Sequence, residues 1–286
     1  MKPSSFAYQR PASLSEAARL LGQAAGVVKP MGGGQSLGPM LNLRLVRPNL
    51  LIDVSGIDEL RGLAAQPDGF RIGGAITHAE VEDGALDALL ESSPSLAAML
   101  RYVAGTIAYR AIRNRGTLAG SLAHADPAAD WVLAMSALDA QLECVRPDGQ
   151  RRIAMTGFMS GAFTTALEEG EVLAAVVLPA YSPAMRWGYY KFCRKPGEFA
   201  EASCAAVFDP RRGLARIVVG ALDGAPAPLE SLAGAVAARG QAALTEDALR
   251  EAVSLVAGGR SASDRQMIAT VVRRSVLQAV GQHENT

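Results

Sequence analysis

The sequence is poor in the residues that staple chains and hold metals. Three cysteines (Cys144, Cys193, Cys204) and three histidines (His78, His124, His283) are scattered over 286 residues. No two cysteines form a C-x-x-C pair, so neither a disulfide framework nor a zinc or iron–sulfur cluster held by this chain alone is expected. Charge of one sign is lacking too: 28 basic residues balance 28 acidic ones. That argues against a nucleic-acid-binding surface as the main purpose. Aromatics make up only 5%. The longest apolar runs, such as 172–178, fall far short of the ~20 residues that span a bilayer, and the stretch Met1–Phe6 lacks the apolar core of a signal peptide. These features predict a soluble cytoplasmic protein with no membrane span and no nucleic-acid partner.

What is present is a globular composition, 49% apolar and 20% charged, which excludes a disordered chain. The length suggests about two domains of ~150 residues each. Glycine is abundant at 29 residues, so tight turns and close backbone approaches are expected. Ser13-x-x-Glu16 reads as a capping box opening a helix with Leu14, Ala17, Ala18, Leu20 and Leu21 on its apolar face. Val27–Val28 starts a short strand that Pro30 is expected to stop. Buried strands follow at 50–54 and 70–72, and Thr77-x-x-Glu80 caps another helix. Residues 93–112 read as helix then loop, and 128–138 as helix. A hairpin is expected over 140–145 and 151–154, closed by 147–150. A strand at 171–178 ends at Pro179. Residues 180–184 mark a boundary. Three strand-like runs then follow at 185–194, 202–208 and 214–222, before helices near 229–239, 245–257 and 264–280. Strands followed by helices is an α+β order, not that of a doubly wound sheet.

The chemistry concentrates in Met31-Gly32-Gly33-Gly34-Gln35-Ser36-Leu37-Gly38. Gly34-Gln35-Ser36-Leu37-Gly38 matches the G-x-S-x-G nucleophile elbow, which needs a strand into the serine and a helix out of it on a prebuilt sheet. Only one short strand precedes Ser36, Pro39 follows at once, and nothing ties His78, His124 or Asp126 to it. A dinucleotide fingerprint is also suggested, with Asp53 at a strand end about 20 residues on. Its glycines (Gly32, Gly34, Gly38) are spaced one residue too far apart, and no long helix can start from Gly38-Pro39. The bland alternative is a structural turn between two strands. The remaining reading is a nest: successive backbone N–H groups facing one concavity bind a pyrophosphate without a lysine, and Ser36 adds a hydroxyl. The loop alone does not say which dinucleotide it holds. A second stretch, Ile112-Arg113-Asn114-Arg115-Gly116-Thr117-Leu118-Ala119-Gly120-Ser121, again lets the backbone approach phosphate closely beside Thr117 and Ser121. Asp126 and Asp130 bracket Pro127 at a helix start, where one carboxylate caps and the other is free for ribose hydroxyls. The arginines 101, 110, 113 and 115 read as a solvated or phosphate-neutralising face.

These residues resemble a known family, the FAD-binding medium subunit of molybdenum hydroxylases, as in carbon monoxide dehydrogenase and xanthine dehydrogenase. Residues 31–37 are similar to its first motif. Ile112, Arg113, Asn114, Gly116, Thr117, Gly120, Asp126, Pro127 and Asp130 match its second, with Ala119 in place of a glycine and Ser121 in place of an asparagine. Tyr190–Ala200 is similar to a third, with Glu198 where aspartate is usual. The Phe6-x-Tyr8-x-Arg10-Pro11 opening fits as well.

The resemblance implies a vanillyl-alcohol-oxidase-type flavin fold, with subdomains at 1–55 and 56–178 and a C-terminal α+β domain at 179–286 built on a three-stranded antiparallel sheet plus helices. It implies FAD. Residues 31–37 together with Thr117, Ala119, Gly120, Ser121 and Ala123 would line its phosphates and ribitol. Ile107 and Ala108 would touch the flavin, and Asp126 and Asp130 would meet the ribose or phosphate side. Leu173 would lie over the cofactor, Lys191 would bring positive charge to the ring, and Phe199 would stack on it. It also implies partners: a large subunit with the molybdenum cofactor and a small one with [2Fe–2S] clusters, in a dimer of heterotrimers. The competing readings are a standalone MurB-like reductase and a relic that has lost FAD.

Overall fold

The computed structural model describes residues 2–23 and 25–281; Met1 and His283 lie outside them. The N-terminal elements are β1 (Ala7–Gln9), α1 (Leu14–Gln23), β2 (Val28–Met31), α2 (Leu37–Asn42) and β3 (Leu50–Asp53). They form a parallel sheet in the order β1-β3-β2. This segment alternates strand and helix, unlike the α+β order seen in the rest of the chain. The alternation is hard to read because β1 is three exposed residues and α2 runs through Pro39. At the start of α1, Ser13 Oγ accepts from the Glu16 amide (3.2 Å) and the Glu16 carboxylate accepts from Ala12 N (2.9 Å). The helix buries Ala17, Ala18 and Leu21. Pro30 does not stop β2, which continues to Met31. As an edge strand, β2 does not need a donor on its outer side.

The middle elements are β4 (Leu63–Gln66), β5 (Gly69–Gly73), α3 (His78–Glu82), α4 (Pro94–Thr106), α5 (Arg110–Arg113), α6 (Leu118–His124), α7 (Asp130–Ala137), β6 (Gln141–Arg146), β7 (Gly149–Ala154), α8 (Met155–Phe158), β8 (Met159–Gly161), β9 (Thr164–Thr165) and β10 (Val172–Pro179). Five of the strands make an antiparallel sheet, β4-β5-β10-β6-β7. Its central strand, β10, joins two cores. Leu173, Val176 and Leu178 pack with Trp131 and Phe158, while Val172 and Ala174 pack with Ile52 of β3 and with Ile57 just beyond it. The β6–β7 hairpin pairs Arg146 with Gly149, so its loop is only Pro147-Asp148.

The last elements are β11 (Arg186–Phe192), β12 (Ala202–Asp209), β13 (Leu214–Gly220), β14 (Ala227–Pro228), α9 (Glu230–Arg239), α10 (Glu246–Ala257) and α11 (Ala262–Gly281). The antiparallel sheet has four strands, β11-β12-β13-β14, rather than three. β14 is two residues long and carries no alternation to read. α11 lies directly on β11: a Cβ on Gly188 would run into the Ser275 carbonyl, and Ser275 Oγ donates to Gly188 O (3.0 Å). Among the described residues no helix is long and apolar enough to cross a membrane.

Candidate functional site

The parallel β1-β3-β2 sheet ends where the glycine loop begins, the edge at which open parallel sheets place ligands. Met31 closes β2 in register with Asp53, the last residue of β3. Among the described residues, the amides of Gly33, Gly34, Gln35, Ser36 and Leu37 make no hydrogen bond within the chain. A run of five amides without a partner in the chain has the donor chemistry to take an anion. Gly34 has φ +71, the left-handed conformation that glycine adopts without strain. Ser36 sits before α2 with no side-chain cap bond, which leaves its hydroxyl available.

The second motif is packed against this loop. A Cβ on Gly33 would collide with the Arg115 carbonyl and come within 2.7 Å of Gly116 Cα, and one on Gly32 would lie 2.6 Å from Thr117 Oγ1. Two turns far apart in sequence therefore touch through hydrogen-only positions. The second motif is not a loop beyond Thr117, however. Thr117 is the N-cap of α6, and its Oγ1 accepts from Gly120 N (3.2 Å). The amides of Leu118, Ala119 and Ser121 are bonded to Ile76 O, Gly74 O and Thr117 O. The two turns meet, but the amides of the second are not free. Capping a buried helix start and closing against the segment that follows β5 use them up.

Ala119, which replaces a family glycine, is buried, and its methyl is met by Gly74, where a Cβ would lie 2.6 Å away. The same Gly74 position faces Leu173 O at 2.9 Å. Leu173 thus lines the same hollow as Ala119, beside a register shift in β10. Ser121 is half-buried and Ala123 exposed on α6. Asp126 does not cap α7, whose N-cap is Ala129 with no side-chain bond; its Oδ1 instead closes the preceding turn by accepting from Ala128 N (2.9 Å).

Asp130 opens α7 and is only 7% exposed. Its carboxylate pairs with Lys191 Nζ (3.0 Å) and accepts from the Tyr189 hydroxyl (2.6 Å) and from Thr106 Oγ1 (3.1 Å). Any ribose hydroxyl would have to share those oxygens. Lys191 also donates to Thr106 O (2.8 Å). Arg113 donates to the carbonyls of Ile107 and Ala108 (3.0 Å each) and pairs with Glu82 (2.8 Å). Three successive carbonyls are thereby held by two cations, fixing Ala108 at φ 43, an uncommon conformation for a residue with a Cβ. The hydrogen bond and charge of Arg113 hold Glu82 below the usual carboxylate range despite burial. Phe199, in the β11–β12 connection, is 63% exposed. Gly197 in the same connection packs on Ala108 and Tyr109, with a Cβ there 3.0 Å from Ala108 O. The structure thus brings Ile107, Ala108, Asp130, Lys191 and the Phe199 segment into one cluster.

Other residues shape the site without a readable signal. Asp53 Oδ2 accepts from the Tyr8 hydroxyl (2.5 Å), and its Oδ1 accepts from Ser55 N and Oγ (3.0 and 2.6 Å). Burial alone would raise Asp53, but these bonds hold it below its ordinary value, and it is not free to read a ribose. His78 packs under Gly116, where a Cβ would be 2.6 Å from its Nε2, and its Nδ1 accepts from Trp131 Nε1 (2.9 Å). Burial pushes His78 down to about 4. His124 stacks at a tilt on Phe163 with centroids 5.2 Å apart. Neither histidine partners Ser36. Burial raises the thiols of Cys144 and Cys204 to about 12, leaving them inert.

Comparison with known proteins agrees with this geometry. A family model described as the FAD binding domain in molybdopterin dehydrogenase matches residues 4–181. The carbon monoxide dehydrogenase medium chain of Hydrogenophaga pseudoflava is 39% identical over 210 residues, covering 72% of this chain and 70% of that one. The nicotine 6-hydroxylase medium subunit of Paenarthrobacter nicotinovorans is 31% identical over 288 residues, covering 98% and 99%. Among solved structures, the carbon monoxide dehydrogenase from Hydrogenophaga pseudoflava that lacks the Mo-pyranopterin moiety of its molybdenum cofactor superposes with a TM-score of 0.86 at 30% identity, covering 99% of each chain. The chain belongs to the FAD-binding family of molybdopterin dehydrogenases and is an FAD oxidoreductase subunit of the molybdenum hydroxylase medium-chain type.

Proposed function

We propose that this chain is the electron-transfer flavoprotein of a molybdenum hydroxylase complex. It takes electrons one at a time from [2Fe–2S] clusters on a small partner subunit and delivers them to an external acceptor. Substrate is oxidised at a molybdenum cofactor on a large subunit, and the assembly is a dimer of heterotrimers. The observation that carries the FAD site is the contact of Gly32 and Gly33 with residues 115–117 beside five unpaired amides. Relatives named as medium chains support an assembly of several polypeptides. Coverage of 99% of a carbon monoxide dehydrogenase chain favours the subunit reading over a standalone reductase. The distribution of the three large sheets, one each within 1–55, 56–178 plus Pro179, and 179–286, supports the expected partition into two flavin-fold subdomains and a C-terminal domain.

The bound FAD supplies a carrier that accepts electrons singly or in pairs. The chain's residues position it. The amides of 33–37 and the Ser36 hydroxyl would hold its diphosphate, and Ile107, Ala108, Leu173 and Phe199 would lie toward its ring. Lys191 is compensated by Asp130, so what reaches the ring is the field of a fixed ion pair rather than of a free ammonium. Held by Thr106 O as well, that pair cannot swing toward solvent, and its orientation is set before the cofactor arrives.

Purification of the chain with its co-expressed partner subunits tests this reading. Flavin, molybdenum and iron–sulfur absorbance in one complex are expected. A complex with flavin alone, or no complex, would overturn it.

A further inference from the structure

Four arginines lie between residues 101 and 115, and the fold separates them by what they pair with. Arg101 is bound to Asp87, Arg110 to Glu82 and Asp83, and Arg113 to Glu82 and two carbonyls. Arg115 is exposed, and among the described residues its guanidinium makes no ion pair and no hydrogen bond. It is also the member of the run that touches the glycine loop, since its carbonyl is what a Cβ on Gly33 would strike. Its charge acts on the Tyr8 phenol, which is raised chiefly by its hydrogen bond to Asp53 and drawn the other way by Arg10 and Arg115. Tyr8 binds Asp53 at the end of β3, in register with Met31 at the mouth of the loop. The segment that packs against the loop of five unpaired amides therefore carries an unpaired cation.

We infer that Arg115 is the counter-ion of the FAD diphosphate, supplying the charge that the lysine-free glycine nest lacks. This rests on the FAD reading above and names a binding residue within that site. Backbone amides offer partial charges, whereas a diphosphate brings a full negative charge on each phosphate. A guanidinium with no internal acid to satisfy binds phosphate without first breaking a pair, and its planar fork suits two phosphate oxygens. The other three arginines would each have to give up a carboxylate to do the same.

The test uses the full chain, stripped of flavin and titrated with FAD at low and high ionic strength, as wild type, Arg115→Gln and Arg115→Lys. A charged hydrogen bond is worth roughly ten- to a hundredfold in affinity. The Gln variant should bind FAD at least about tenfold more weakly at low salt, with the gap narrowing at high salt as screening removes the charge term. The Lys variant, which keeps the charge but not the fork, should bind more tightly than the Gln variant and more weakly than wild type. The inference is overturned if Arg115→Gln binds as wild type does. It is equally overturned if both variants lose affinity by the same factor at both salt concentrations, which marks a role in shape alone. A wild-type chain that takes up no FAD overturns the functional reading and this one together.

Discussion

Replacing Gly33 by alanine tests the central contact directly. Gly33 is buried, and the added Cβ would fall on the Arg115 carbonyl and within 2.7 Å of Gly116 Cα, whereas real Cβ atoms keep at least 3.0 Å. The obstructing atoms are backbone, and they are held: Arg115 N is bonded to Ile112 O, Gly116 N to Ile112 O and Gly116 O to His78 N. The glycine loop must therefore retreat by on the order of 1 Å, at an overpacking cost of about 1–3 kcal/mol. For a chain of this size that corresponds to a fall in Tm of roughly 2–4 °C per kcal/mol. The functional loss is larger. A shift of that size misaligns the free amides from their phosphate oxygens, and each charged hydrogen bond lost costs about 1.5–3 kcal/mol. FAD affinity should fall at least about tenfold while the apo-protein still melts cooperatively. The assay is FAD titration by fluorescence quenching, alongside the flavin-to-protein ratio of the purified complex. Gly38→Ala is the control: no atom lies within 4 Å of its Cβ position, and it sits in α2, so it should be neutral or slightly stabilising. A Gly33→Ala protein with full flavin content and wild-type affinity would refute the claim that the two turns form one site by close contact.

Three further outcomes follow from the buried polar groups. His78 is lowered to about 4 by burial, so the unfolded chain binds more protons between pH 6.5 and 4, and this residue's stabilising effect is complete above the unfolded pKa and declines as pH falls through that window. The loss approaches about 3 kcal/mol. Urea unfolding against pH should show that slope in wild type and lose it in His78→Gln, whose amide oxygen can still accept from Trp131. Lys191→Met leaves the Asp130 carboxylate buried without its cation and should destabilise by about 3–5 kcal/mol. Adding Asp130→Asn should restore much of that, and a double-mutant cycle that shows no coupling would sink the ion-pair account. Arg113→Ala releases both the Glu82 pair and the carbonyls of Ile107 and Ala108. A loss of about 2–3 kcal/mol is expected, together with faster flavin dissociation, and unchanged flavin off-rates would show that Ala108 does not need its clamp.

Local signals in the sequence were read where a single element satisfied itself. Thr77 and Glu80 form the full reciprocal capping box, and Leu50–Asp53 is buried along its whole length. What escaped depends on groups brought from elsewhere. Nothing around Arg113 or Arg115 distinguishes them in sequence, because the distinction lies in whether Glu82, on α3, is within reach. Asp130 looked free for ribose because its partners, Tyr189 and Lys191, come from β11, some 60 residues on. The second motif read as a loop because Leu118-Ala119-Gly120-Ser121 carries no apolar period. Thr117 three residues before Gly120 is the available sign, since its hydroxyl caps the Gly120 amide and starts α6. The Gly73-Gly74 pair is a further sign in the sequence, since Gly74 is the hollow that receives Ala119.

The hydrogen-bond accounting divides labour between the two motifs. The first loop keeps its donors unspent, so its sequence must remain one that leaves five amides open, and a side chain at Gly33 is not tolerated. The second has bonded its amides to the segment after β5 and within α6, so it serves as a wall that fixes the first loop's position and is not itself the donor array. A wall tolerates change wherever the added atoms have somewhere to go. Ala119 directs its methyl toward Gly74 and β10, and the Ala119 amide still reaches Gly74 O at 2.9 Å. The departure from the family's glycine is thus compensated inside the subunit and leaves the face toward the first loop unaltered. Filling Gly74 would reverse this. A Cβ there would meet Ala119 Cβ at 2.6 Å and Leu173 O at 2.9 Å, which would drive α6 and Thr117 toward Gly32 and narrow the space that the diphosphate requires.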